Sequence, residues 1–335
     1  MIAVATSTAV PAPTTERGGA LSFLTVDRLR MAGPPVILVV LALLVTIAEP
    51  AFFSVNALSV VSMQAVPILL LGLGQMFVIL TGGIDLSNAA LASLSTIILA
   101  KTIGTLGPGA VVVSLLALTV IGAISGALVV YGQVPSFVVT LGALGFWGAI
   151  SMVASSSSTI YIDSGYDAIF WLTSWTFLSI PVGVWITVGI VAGIFALMRF
   201  LPRGHVFHVV GLGEKAAMMS GVRAPLVRVG AFALSGLFAG LAGVMLSSQQ
   251  QSAAPTLADS LMLPAIAAVL VGGCAVTGGV GGAWRVLIGA LIVTVLRVGG
   301  AVAGINPSYQ QIVYGAVVVI AVLLTLDRSQ LSIIK

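Results

Sequence analysis

The chain has 335 residues, 59% of them hydrophobic and only 7% charged, with a net charge of +4. A soluble domain carries about 25% charged residues, so composition excludes a water-soluble fold and predicts an all-α, polytopic helical membrane protein. The basic excess is that expected of cytoplasmic loops, and no aromatic–basic surface pattern marks a nucleic-acid binder.

Residues 1–33 are polar and rich in Ala, Thr and Pro, without the start of a secretory signal. They read as a cytoplasmic tail whose stretch 21–31 approaches along the membrane surface. The membrane domain follows over 34–327, and 328–335 close the chain as a second cytoplasmic tail. A spanning helix needs about 20 apolar residues. Ten stretches are candidates: 35–53, 58–80, 84–101, 109–131, 137–155, 178–200, 229–247, 261–276, 284–302 and 309–326. With the N-terminus inside, eleven of the thirteen Lys and Arg fall in cytoplasmic segments, and only Lys101 and Arg297 fall at outer ends. The positive-inside rule therefore places both termini in the cytoplasm. The longer outer loops are 156–175 and 249–260.

Two segments resemble each other, 79–87 and 269–277. Each joins two apolar runs through a glycine pair, Gly82-Gly83 or Gly272-Gly273. Broken helices at membrane depth are tolerated where they line a cavity or are buried in protein. Matching breaks in two halves point to a transport pathway; ordinary Gly-rich turns use the same residues. Ten spans give the two breaks the same orientation, whereas a re-entrant segment would invert one of them.

The polar residues argue against catalysis. There is no Ser/His/Asp arrangement, no metal-spaced cluster and no phosphate loop, so no cofactor is expected in this chain. His205 and His208 read as loop residues near the headgroups. Glu49, Asp85 and Arg297 are the nearest candidates for ion coupling. Asp85 stands where a helix begins and reads first as its cap, and Arg297 can snorkel outward. Cys274 reads as a packed core cysteine. The pairs Gly122/Gly126, Gly236/Gly240, Gly278/Gly282 and Gly300/Gly304 have the spacing of close helix crossings. Neutral polar residues, among them Gln75, Asn88 and Gln249 to Gln251, suit a polyhydroxylated solute. Individually they are explained as well by interhelical hydrogen bonds, worth about 0.6–1.7 kcal/mol each. Residues 201–228 form a basic cytoplasmic loop. Within it 213–221, Gly213-Glu214-Lys215-Ala216-Ala217-Met218-Met219-Ser220-Gly221, has the pattern of a short helix of small residues.

Three stretches resemble one family. GQMFVILTGGIDLSNAALASLS (74–95) is similar to the first signature of ribose-type ABC importer permeases. Residues 204–246 resemble that family's cytoplasmic loop and following span, through Gly211, Glu214, Ala216, Ala217, Ser220, Gly221, Val222, Ser235 and Gly236. Residues 263–293 resemble its VGG-x-x-x-x-GG-x-G segment. Lys215, Cys274, Ala275 and Val209-Val210 depart from the usual pattern. The resemblance implies a permease in the inner membrane, paired with a second permease subunit. Two cytoplasmic ATPase subunits would hold ATP and Mg, and an extracytoplasmic binding protein would deliver a monosaccharide or small polyol. It makes Gly213, Glu214, Lys215, Ala216, Ala217, Ser220 and Gly221 a coupling helix to the ATPase. Gln75, Gly82, Gly83, Asp85, Asn88, Gly272 and Gly273 are the candidate translocation-pathway residues. An ABC permease for branched-chain amino acids or nucleosides, or an ion-coupled secondary transporter, is the alternative.

Overall fold

A computed structural model describes residues 20–325. The first nineteen residues and 326–335, which include the C-terminal tail, lie outside the described residues. The chain forms α1 (Ala20–Ala48), a 3-10 turn (Pro50–Phe53), α2 (Val55–Leu80), α3 (Asn88–Leu106), α4 (Gly109–Tyr131) and α5 (Ser136–Ser155). An irregular segment follows with β1 (Ile160–Tyr161), α6 (Asp167–Ser174), β2 (Thr176–Phe177) and β3 (Ile180–Pro181). Then come α7 (Val182–Phe200), α8 (Pro202–Leu212), α9 (Glu214–Met219), α10 (Ala224–Gln250), β4 (Ser252–Ala253), α11 (Met262–Val271), α12 (Ala283–Val302) and α13 (Pro307–Thr325).

Among the described residues, seven helices are long and apolar enough to cross a membrane: α2, α3, α4, α5, α7, α10 and α12. Shorter apolar helices at Gly33–Ala48, Asp259–Val271 and Tyr309–Ile320 stand where the other three candidate spans were expected. The differences from the expected bounds have local causes. The first helix begins at Ala20, inside the segment read as a tail, and ends at Ala48 before Pro50, whose ring favours the start of a new turn. The span expected at 84 begins at Asn88, and that expected at 178 begins at Val182, after a hairpin in which Leu178 and Ser179 take positive φ. The span expected over 261–276 is a helix of ten residues. That is about 15 Å of helix, half the hydrocarbon thickness of about 30 Å.

Helix α2 is the axis of the bundle. Ser54 caps it, the Oγ accepting from Ala57 N at 3.2 Å. Every residue from Ala65 to Leu80 is buried, by protein rather than lipid. Helix α10 packs along it, where Gly74 lies against the Ser235 backbone. Helix α10 also crosses α4 at glycines on both sides. A Cβ at Gly122 would overlap the Phe232 carbonyl oxygen, and one at Gly236 would overlap that of Leu118. Ser95 of α3 seals the junction, meeting Ser114 Oγ of α4 at 2.8 Å and Gly240 O of α10 at 2.9 Å. The other two GxxxG pairs are not helix crossings. Gly278 has φ +92° in a loop, Gly282 precedes α12, and Gly304 has φ +76° just past its end.

The two loops expected on the outer face pair with each other. Strands β1 and β4 are antiparallel, with Ile160 opposite Ala253 and Tyr161 opposite Ser252. Tyr166 Oη donates to Ser248 O at 2.6 Å, and Ser248 Oγ to Ile169 O at 2.8 Å.

Gly236→Leu is expected to destabilise the protein by several kcal/mol, because overpacking a close-packed interior costs about 1–3 kcal/mol and here the obstacle is backbone. Gly189→Leu, where nothing lies within 4 Å, is the reference. Thermal unfolding in detergent should separate the two variants clearly.

Candidate functional site: two helix breaks and the arm that meets them

Helix α2 ends at Leu80, and residues 81–87 run non-helically to Asn88. Such a segment needs hydrogen-bond partners, because water is scarce at this depth. They come from three helices. Gln75 of α2, with its amide oriented by these partners, donates to Asp85 O at 2.8 Å and accepts from Asp85 N at 3.3 Å. Ser136 Oγ of α5 accepts from Ile84 N at 3.2 Å, and Thr140 Oγ1 donates to Ile84 O at 3.3 Å. Ser235 Oγ of α10 donates to Asp85 Oδ2 at 2.7 Å. The other carboxylate oxygen accepts from Ser87 Oγ at 2.6 Å and Ser87 N at 2.9 Å. Asp85 is therefore not the helix cap that its position suggested. Ser87 holds the cap position, and Asp85 ties the break to α10. Asn88 donates to Leu71 O at 3.3 Å, while its Oδ1 is buried without a partner. Gln75, Asp85 and Asn88 are all buried.

The second break lies beside the first. Helices α2 and α11 run side by side in the same direction: Gly72 faces Ala265 and Val269, and Leu80 meets Gly281. Gly279 N donates to Leu80 O at 2.9 Å. Gly82 and Gly273 take left-handed backbone, with φ +78° and +94°. The sequence-matched glycines are 82 with 272 and 83 with 273, so the two breaks are similar in sequence but not conformational copies. A Cβ at Gly272 would overlap the Arg285 carbonyl oxygen, whereas Gly83 lies against Val78.

The cytoplasmic loop expected over 201–228 contains a helix that its sequence did not announce, α8. It reaches up to both breaks. A Cβ at Gly211 would overlap Leu80 O and the Gly279 amide. Phe207 packs edge-on against Phe77 at 5.0 Å, and Phe77 stacks with Phe238 of α10 at 6.1 Å. His208 Nε2 lies 3.1 Å from Gly281 O. Helix α9 follows directly and covers Glu214 to Met219, the centre of the expected 213–221. Ala217 is buried with Val210 and Ala224, while Lys215, Ala216, Ser220 and Gly221 are exposed. Met219 is 91% exposed and Leu212 73%. Glu214 is paired with Arg228 at 3.1 Å.

A cavity of about 470 Å³ opens between the first turn of α3, the second half of α5 and the segment before α11. Ala89, Ala90, Gly145, Gly148, Thr256 and Asp259 contribute to its wall. Ser93 Oγ holds this corner, donating to Asp259 Oδ1 at 3.2 Å and accepting from Ala258 N at 2.9 Å.

A helical membrane bundle with paired internal breaks, and a helical arm touching both, has the architecture of a transport permease. Residues 57–322 match the family described as the permease component of the branched-chain amino acid transport system, and the chain belongs to that family. It is 33% identical to the ribose import permease protein of Haemophilus influenzae, over 85% of this chain and 90% of that one. Identity to the ribose import permease protein of Bacillus subtilis is 34%, over 89% and 93%. To the D-allose transport system permease protein of Escherichia coli it is 28%, over 88% and 90%. No solved structure matches the chain. The resemblance to ribose-type ABC importer permeases thus extends over most of the sequence, and the protein is a multi-pass permease of the cytoplasmic membrane.

Removing either end of the Ser235–Asp85 bond should be costly, since leaving a buried donor or acceptor unsatisfied costs about 1–3 kcal/mol. Asp85→Ala is expected to destabilise more than Ser235→Ala, because it also strands Ser87. The double variant should lose less than the sum of the two. Unfolding free energies of the four proteins in detergent provide the check.

Proposed function

We propose that this chain is one of two permease subunits of an ATP-binding-cassette importer that carries a monosaccharide or similar small polyol inward. In this reading the chain spans the membrane ten times with both termini in the cytoplasm. Two ATPase subunits hold ATP and Mg below it, and a solute-binding protein docks above. The observation that carries the reading is the arm α8–α9. Its far end, α9, presents exposed apolar and small residues, Met219, Met218 and Ala216, where a partner can grip. Its near end abuts both helix breaks without intervening side chain at Gly211. Displacement of α9 by an ATPase would be passed to the ends of α2 and α11 as backbone movement.

The two breaks, with Gly82, Gly83, Gly272 and Gly273, and the network of Gln75, Asp85 and Asn88 then form the movable wall of the translocation pathway. The cavity that reaches from the first turn of α3, beside the first break, to residues 255–262 is part of its bore. At about 470 Å³ it is within the range of small-molecule sites, about 300–1,000 Å³. Its lining is mostly small and uncharged, which fits a neutral solute bound loosely. The sugar assignment is supported by the ribose and allose relatives. The description of the matching family favours a second reading, a branched-chain amino acid, in the same architecture.

Uptake into vesicles with co-expressed ATPase and binding protein, using labelled pentoses, hexoses and amino acids, tests this. Uptake should require ATP and both partners, and a sugar should be the responsive solute. Met219→Arg, at a position that buries nothing in this chain, is expected to cut uptake at least tenfold without changing thermal stability. Glu214→Arg is a less direct probe, because it also places a second cation beside Arg228; the swap Glu214→Arg with Arg228→Glu should restore folding of the arm. Uptake by this chain alone, driven by a proton or sodium gradient, would overturn the assignment.

A further inference from the structure

We infer that the cytoplasmic cleft between α7, α8 and α12 is a binding site for an anionic phospholipid. The cleft has a volume of about 500 Å³. Arg199 from the last turn of α7, Arg285 from the first turn of α12, and His205 and His208 from α8 line it, and no Asp or Glu does. Among the described residues the one ion pair is Glu214 with Arg228, so neither arginine has a carboxylate partner. Arg285 spends one N–H on Gly273 O at 2.9 Å and keeps further donors. Helix α12 starts at this point with no capping side chain and no acidic residue in its first turn. The positive end of its dipole therefore adds to the cationic side chains. No described carboxylate supplies a countercharge to this cluster, and an anion from outside would.

The second observation fixes the kind of anion. The cleft continues into a groove of about 360 Å³ whose lining is apolar, with Val188, Val191, Ala192 and Leu287. Phe195 and Trp284 line both spaces and join them. From Arg199 back to Val188 is eleven residues of helix α7, about 16 Å. A molecule filling both spaces carries its negative charge at the cytoplasmic membrane boundary and its hydrocarbon between two spans. A phospholipid with an anionic headgroup has that form, and basic pockets between spans on this side of a membrane are suited to it. Inorganic phosphate would occupy the cleft alone.

The test is lipid retention by the full-length protein, purified from mixed phosphatidylglycerol and phosphatidylcholine and read by native mass spectrometry. Phosphatidylglycerol should be retained preferentially. Arg199→Gln should lower that retention about fivefold, the effect of one cation near an anionic lipid. Arg223→Gln, an exposed cation outside the cleft, should leave it unchanged. Val188→Trp, which fills the groove, should weaken long-chain lipid more than a short-chain analogue. Arg199 is exposed at a helix end, so its variant is expected to fold. Equal retention of the two lipids would overturn the inference, as would equal behaviour of Arg199→Gln and Arg223→Gln. Full competition by millimolar inorganic phosphate, with no effect of Val188→Trp, would reduce the cleft to a phosphate site and overturn it as well.

Discussion

Unwound backbone in a membrane interior must be hydrogen-bonded by the protein itself, and much of this structure serves that requirement. An unpaired amide in apolar surroundings costs about 2–7 kcal/mol. Residues 84–87 draw their partners from Gln75, Ser136, Thr140 and Ser235, on α2, α5 and α10. Each of those side chains can reach only if its helix lies close, which fixes three helix positions around one short segment. The small residues of α10 then have two purposes. Gly236 and Gly240 bring α4 near, and Ser235, on the same stretch, holds Asp85.

The same geometry explains how a signal could cross from solvent to membrane interior. Contact at Gly211 is backbone against backbone, on the spot where Gly279 N and Leu80 O bond each other. Side chains can absorb a displacement by changing rotamer; a main-chain contact has no such slack, and close-packed interiors transmit strain. The aromatic series Phe207, Phe77 and Phe238 adds a second rigid connection from α8 to α10. The arm is therefore stiff where it meets the breaks and exposed where a partner would meet it.

Much of this organisation was legible in the sequence where a local pattern has one structural outcome. Glycine pairs inside long apolar runs marked the α4–α10 crossing, and the doubled Gly-Gly motif marked both breaks. Identical spacing misled at Gly278/Gly282 and Gly300/Gly304, because spacing does not say whether a glycine is helical or takes positive φ. Helix α8 was missed because Pro202, Arg203 and two histidines resemble a loop. It is tertiary contact with α2 and residues 278–281 that gives it a face to bury. The bond from Asp85 to Ser235 joins residues 150 apart, and nothing local pairs them.

The short α11 bears on how the protein is made. The ten helical residues of α11, ending in a glycine pair, are too few to cross the hydrocarbon on their own. Gly289 of α12 packs on the Ala268 carbonyl so closely that no Cβ fits, so the two segments have a ready-made partner in each other. They would enter the bilayer as one hairpin, after the earlier helices have already built the cleft beside α2 that receives it. Assembly of the C-terminal third would in this sense be templated by the N-terminal two-thirds, the second break forming against the first.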